Sequence, residues 1–416
     1  MRGKRITNVC ALVLGVVAFL NVPMALAFAD QRFATQIRLT EPIPGFGAFV
    51  EIDGNTAAVT GTGFRFSDFP EPVVYIYTRE GTTWTLEQTV SAHDEVPNSD
   101  DAFGFGLALS GDTLVVGALG DITNGLPAGA AYVYVREGHT WSLQQKLRAS
   151  DAAAFAQFGS AVDIAGDTIV VGANMDDDAG FGTGAAYVFR RNGSTWTEEQ
   201  KLTASDATLE SSFGQSVSIS GPTIAVGSPS LSSPEAFRSG AVYVFENNGT
   251  AWQEQQKIRP NTEMTNQQLG TSVSISGDTI VATAPGEVIG QPSQEFQNVR
   301  SKGAVYIFDR TGTSWDHQKR FYERDTNRTG GFAIQAAIDG DTIIVGDPTY
   351  DAGARFTGAI YVFERNGNGW SLKHTLTADD AHFLQVMGFA IAISGDTVIA
   401  GTPDQFAPAG SAYIFQ

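Results

Sequence analysis

Apolar and polar positions along this chain are arranged in short runs, and the runs repeat. In the segment 158–202, Ser160 to Ile164 alternates and then meets Gly166-Asp167; Thr168 to Val171 follows as an apolar run. A two-residue Gly-Asp connection between such runs predicts a tight hairpin, since glycine accepts the positive φ that this turn needs. A third strand is predicted over Ala185 to Phe189, and a turn over Arg191 to Thr195 leads to a fourth, Trp196 to Leu202. The hairpin signal recurs at Gly111-Asp112, Gly277-Asp278, Gly340-Asp341 and Gly395-Asp396, with Gly54-Asn55 and Gly221-Pro222 as variants. The composition agrees: 46 glycines, 11% aromatic and only 17% charged residues suit many short strands joined by tight turns better than a helical protein.

The whole unit recurs with starts at Phe46, Phe103, Phe158, Phe213, Leu269, Phe332 and Met387, spaced by 57, 55, 55, 56, 63 and 55 residues. All six tryptophans, Trp84, Trp141, Trp196, Trp252, Trp315 and Trp370, open the fourth strand. Tyr75, Tyr132, Tyr187, Tyr243, Tyr306, Tyr361 and Tyr413 share one position on the third, with Tyr or Phe two residues later. That spacing puts both rings on one face of a strand, suited to packing between sheets. Seven four-stranded antiparallel units predict an all-β, seven-bladed β-propeller. The seventh unit stops after its third strand, at Gln416; Thr35 to Thr40 matches the missing fourth. The N-terminal strand is therefore expected to complete the last blade and remove an open sheet edge.

Residues 1–27 read differently. Arg2, Lys4 and Arg5 precede an apolar run from Val9 to Leu20, and Ala25-Leu26-Ala27 supplies a small-x-small site. This is the pattern of a secretory signal peptide cleaved after Ala27, with Ala27-Phe28-Ala29 as a second frame. The alternative, a retained anchor, meets a run that is short for a span of about 20 residues. The propeller is then assigned to 31–416, with no membrane span after cleavage, and the chain is expected to be secreted, periplasmic or displayed at a cell surface. The only cysteine, Cys10, lies inside the signal, leaving no thiol for disulfides, zinc or nucleophilic catalysis.

Charge narrows the partners. The chain carries 26 basic and 45 acidic residues, a formal −19; loss of three basic residues with the signal gives 23 − 45 = −22. Such a surface disfavours nucleic acid and anionic lipid. Catalytic patterns are missing: His93, His139, His317, His374 and His382 fall at unrelated positions, and no G-x-S-x-G elbow, Walker loop or H-E-x-x-H pair occurs. The chain is accordingly expected not to be an enzyme.

The pairs Phe46-Gly47, Phe103-Gly104, Phe158-Gly159 and Phe213-Gly214, with Gly227-Ser228-Pro229, Gly346-Asp347-Pro348 and Gly401-Thr402-Pro403 later in the unit, resemble FG-GAP repeats, as in the integrin α-chain propeller. The resemblance implies the propeller fold and a role in adhesion or binding. Units of that kind often carry calcium in the loop after the first strand, but here that loop is only Gly-Asp, too short for the six to eight oxygens calcium takes. No cofactor is required; calcium stays open as a ligand, although the usual family calcium loops are absent.

Hairpin connectivity places the first-to-second and third-to-fourth turns on one face of the ring, and the longer, variable loops on the other. Recognition of an extracellular protein or glycan is expected on the variable face. The candidate binding residues lie in the insertion 286–302 of blade five: Glu287, Gln291, Glu295, Phe296 and Arg300. The candidate metal residues are Asp176, Asp177 and Asp178, with a solvated loop as the alternative reading. The aspartates between blades, Asp100, Asp101, Asp151, Asp206, Asp379 and Asp380, are read as turn formers that bond backbone amides. The Arg-x-Gly-x-x-Trp turns are read as structural hairpins. A monomer is expected. The rival readings are an extracellular polymer hydrolase or lyase and a purely structural surface protein.

Overall fold

A computed structural model describes residues 32–43, 45–61, 72–92, 102–123, 125–288, 302–322, 331–351, 354–367, 369–403 and 410–416. Seven four-stranded antiparallel sheets form a ring, as the repeat count predicts, six of them each built from a single repeat. In blade three the strands are Phe158–Ala165, Thr168–Ala173, Ala185–Asn192 and Thr195–Leu202, so both hairpin turns fall where their glycines stand. A bulge follows Val188 in the third strand and recurs at the same place in blades one to six. No residue in the described segments is helical, and no described helix is long and apolar enough to cross a membrane.

The innermost strands touch one another in succession around the ring, and Ala390–Ser394 of blade seven meets Val50–Asp53 of blade one. The last sheet is completed by Gln36–Thr40, which pairs with Ser411–Phe415. Ile37 stands opposite Ile414, Arg38 opposite Tyr413 and Leu39 opposite Ala412. Thr35 and Gln416 exchange both backbone hydrogen bonds at 3.0 Å, so head and tail clasp.

The core lies between blades, with no single centre. Each of seven apolar clusters spans two neighbours; one joins Val115, Val133 and Leu147 of blade two to Phe158, Val162, Tyr187 and Trp196 of blade three. The Phe of each Phe-Gly pair meets the third-strand Tyr of its own blade edge-on, with centroids 5.4 Å apart for Phe158 and Tyr187 and 5.3 Å for Phe213 and Tyr243. Quadrupole attraction favours that geometry over a flat sandwich. The same Phe bridges to the glycine before the third strand of the preceding blade, as Phe213 does to Gly184. A Cβ on Gly184 would collide with the Phe213 carbonyl, and one on Gly227 of Gly227-Ser228-Pro229 with the Gly270 carbonyl of the next unit, so both positions require glycine.

One face of the ring is tied down polar group by polar group. On the inner strands, Asp53, Ser110, Ser220, Ser276, Asp339 and Ser394 each accept a hydrogen bond from the hairpin glycine amide of the following blade, at 2.7–3.4 Å. Only between blades three and four is this tie missing, because the position is Ala165. Further out, Arg79, Arg136, Arg191, Arg310 and Arg365 lie over Trp84, Trp141, Trp196, Trp315 and Trp370, 4.5–5.6 Å from the ring centroids. Each also reaches a threonine of the preceding blade; Arg191 donates to Thr113 at 3.2 Å while bonding Asp167, in the first-to-second turn of its own blade, at 2.7 Å. Glutamines complete the stitching: Gln145 both donates to the Trp196 carbonyl and accepts from its amide. The Arg-x-Gly-x-x-Trp turn is thus structural, as expected.

Candidate functional site

The opposite face is built from the second-to-third loops and the blade-to-blade linkers, which run side by side. The Glu210 amide donates to the Phe181 carbonyl (2.8 Å), Phe155 to Pro127 (2.7 Å), Asn266 to Phe237 (2.7 Å) and Leu384 to Arg355 (3.2 Å). To make these bonds each linker twists two non-glycine residues into the left-handed region: Phe155 and Gln157, Glu210 and Ser212, Asn266 and Gln268, Leu384 and Val386, with φ between 51° and 65°. Each such residue costs about 1–2 kcal/mol. Their repetition marks them as part of the scaffold.

What the scaffold presents is not explained by packing. Phe155 is 71% exposed, Leu209 69%, Phe181 60%, Phe383 59% and Phe237 56%. Leu126, on a two-stranded ribbon formed by Ile122–Thr123 and Leu126–Pro127, is also exposed. Leu209 lies over Gly180 beside Phe181, and Arg238, stacked on Phe237 at 5.1 Å, reaches Glu210 at 3.7 Å. These contacts link the apolar side chains of blades three and four. At Phe155 the backbone is fixed by its bond to Pro127 while the ring stands in water. Clustered exposed apolar side chains of this kind mark interaction surfaces.

The acidic run sits beneath this surface and is gathered around a single ammonium, which leaves the group net negative. Lys201 stands opposite Tyr187 on the neighbouring strand, and its ammonium donates to Asp151 (2.7 Å), Asp176 (3.1 Å) and Asp178 (2.5 Å). Asp176 also accepts from the Tyr187 hydroxyl at 2.9 Å, while Asp177 caps the Gly182 amide at 2.6 Å. A fixed ammonium therefore takes the centre of the carboxylate group. Desolvation lowers the Lys201 pKa, but hydrogen bonds to the three carboxylates outweigh it and hold the pKa above its ordinary value. Burial pushes Asp151 up, and the bonds from Lys201 and Tyr187 more than reverse this. Among the described residues no group of three or more His, Cys, Asp or Glu is placed to hold a metal ion.

Two placements differ from the sequence expectation. The linker aspartates are not chiefly turn formers: Asp151, Asp206 and Asp380 accept from the hydroxyls of Tyr187, Tyr243 and Tyr413 in the following blade, at 2.5–2.7 Å, and pair with Lys201, Lys257 and Arg38. Asp100 and Asp101 lie outside the described residues. Glu287 is fully buried, held by the Tyr306 hydroxyl (2.8 Å), Gln267 and Arg320 (2.7 Å), so its carboxylate faces inward. Gln291, Glu295, Phe296 and Arg300 lie outside the described residues.

A second polar feature went unread in the sequence. Glu51 and Asp163 occupy inner-strand positions held by Ala or Ser in the other blades. Both keep some contact with solvent at the channel wall. Burial raises Glu51 to about 8, helped by the charge of Asp163. Asp163 rises to about 6 through burial, although it accepts bonds from the Ile219 amide, the Ile164 amide and Ser218. The signal lay in the alignment of repeats: acids where five of seven units place small residues. The exposed rings carried a similar signal, since Phe155, Phe181 and Phe237 interrupt loops that are otherwise small and polar.

A family model for the FG-GAP repeat matches residues 84–134, 141–189, 196–245, 252–308 and 370–415. No curated protein matches the chain.

Proposed function

The chain belongs to the FG-GAP repeat family, and from that membership and the asymmetry of its two faces we propose an exported, non-enzymatic binding or adhesion module. In this reading the signal-like segment 1–27 directs export, the propeller acts as a monomer, and the variable-loop face contacts an extracellular protein or glycan. One observation carries the proposal: among the described residues, the five most exposed large apolar side chains, Phe155, Leu209, Phe181, Phe383 and Phe237, all stand at blade junctions of the loop face. On the hairpin face the inner-strand Asp and Ser side chains and the arginines over tryptophan bond neighbouring blades. No cofactor is required.

The test is capture from the extracellular fluid of the producing cells, followed by cross-link mapping. Cross-links should fall on the linkers and second-to-third loops. Cross-links confined to the hairpin face, or no retained macromolecule, would sink the reading. A second reading, a hydrolase or lyase of an extracellular polymer, draws on Glu51 and Asp163, whose separated and raised pKa values suit acid–base work. Turnover on a glycan panel that vanishes in Glu51→Gln would favour it over the first.

A further inference from the structure

Resting on the binding-module reading, we propose that the strip formed by Leu126, Phe155, Phe181, Leu209 and Phe237 seats an extended, basic polypeptide segment that carries large apolar side chains at intervals. The strip follows ring order: Leu126 and Phe155 at the junction of blades two and three, Phe181 and Leu209 at the next, Phe237 at the one after. The Phe155 amide on the Pro127 carbonyl closes the first junction, the Met175 amide on the Ala156 carbonyl joins that linker to the loop carrying Phe181, and the Glu210–Arg238 pair ties the second junction to the third. An occupant touching more than one junction must be elongated. It must also be apolar at intervals, because loop backbone separates the rings.

Charge selects the chemistry. On the two loops that carry Phe181 and Leu209, Asp178, Asp206 and Glu210 are all more than half exposed and no Lys or Arg occurs in 174–184 or 203–212; Arg238 of the next loop reaches Glu210. Lys201 and Lys257 are mostly buried against their own carboxylates. The chain as a whole is −19. A second copy would bring like charge to like charge, and an anionic lipid surface would be repelled. A basic segment gains from both the field and the apolar contact, with charge governing mostly the association rate and the desolvated rings most of the affinity.

The probe is a labelled synthetic peptide in which lysines alternate with phenylalanines, followed by fluorescence anisotropy on the full chain. The parent should bind it, and a peptide with glutamate in place of lysine should not bind. Combined Phe155→Ser, Phe181→Ser and Phe237→Ser should weaken binding by at least about tenfold, the effect of losing one hot-spot contact or more. Leu86→Ser with Leu372→Ser, exposed leucines on outer strands, should leave affinity unchanged. Because all five side chains are exposed, both variants should keep the parent's melting temperature. Undiminished binding by the triple variant, equal loss in the outer-strand control, or strip-dependent binding of a neutral oligosaccharide or phosphatidylcholine vesicle with none of the peptide would overturn the proposal. The two readings fail separately. A parent that captures no extracellular macromolecule removes the binding-module reading, whereas peptide binding indifferent to the three phenylalanines removes only the strip.

Discussion

The two faces of the ring are made from the same repeats yet treat their side chains in opposite ways. On the hairpin face, six of seven junctions carry the glycine-amide tie, and five blades carry an arginine laid over tryptophan. On the loop face, linkers accept backbone strain and leave Phe155, Phe181, Leu209, Phe237 and Phe383 in water. The difference teaches that regularity here measures structural duty. Where every blade keeps a residue, the residue bonds a neighbouring blade; where blades diverge, the side chains are released from that duty.

The contrast can be broken most severely at the clasp. Removing residues 33–40 takes the outer strand from blade seven, exposes Tyr413 and Phe415, and should abolish cooperative thermal unfolding followed by circular dichroism. A truncated chain that melts like the parent would mean that the ring closes without its last strand. Next in size, Trp196→Ala should cost about 3–5 kcal/mol, because it empties a buried site and strips the lid from Arg191. Denaturant unfolding measures this, and a loss below about 1 kcal/mol would place the tryptophans outside the stabilising framework.

A smaller effect is expected from pH. The folded pKa of Glu51 is raised from 4.5 to about 8, so the folded state favours the protonated acid. The associated stability is present below pH 4.5 and is lost as pH rises towards 8. Glu51→Gln should therefore match the parent near pH 4 and melt at a higher temperature above pH 8. Equal melting at both pH values would show that the channel wall does not penalise the charge. Smaller again, Ala165→Ser supplies the one missing tie and should add about 0.5–1.5 kcal/mol, the usual net worth of a hydrogen bond. At the bottom of the scale, Phe155→Ser should change stability by no more than about 0.5 kcal/mol. A loss comparable with Trp196→Ala would show that the loop-face rings serve the fold after all.

Fold and site were legible to different degrees for a physical reason. A strand needs period-two alternation and a hairpin needs its glycine, and both are local, so the four strands and the Gly-Asp turns could be placed from residues alone. Blade closure followed from matching Thr35–Thr40 to the other fourth strands. The role of Asp151 was not local: its partners, Tyr187 and Lys201, lie 36 and 50 residues away. Glu287 looked available because its loop is long, yet Arg320 and Tyr306 approach from other strands and enclose it. The exposed phenylalanines drew no reading, since the exposure of an apolar loop residue depends on the path of the loop and not on its local pattern. Repeats suppress this problem only for residues that recur.

The clasp has a mechanical consequence. Gln36 stands opposite Phe415, so the chain leaves the outer strand and the third strand of blade seven at the same end of their ladder. Tension applied between the two termini would act across that end and part the rungs one after another, as a zip opens, instead of loading all of them together in shear. A tether carried on one terminus alone would spare the ladder. Resistance to pulling thus depends on where the load is attached, although the hydrogen bonds are the same in both cases.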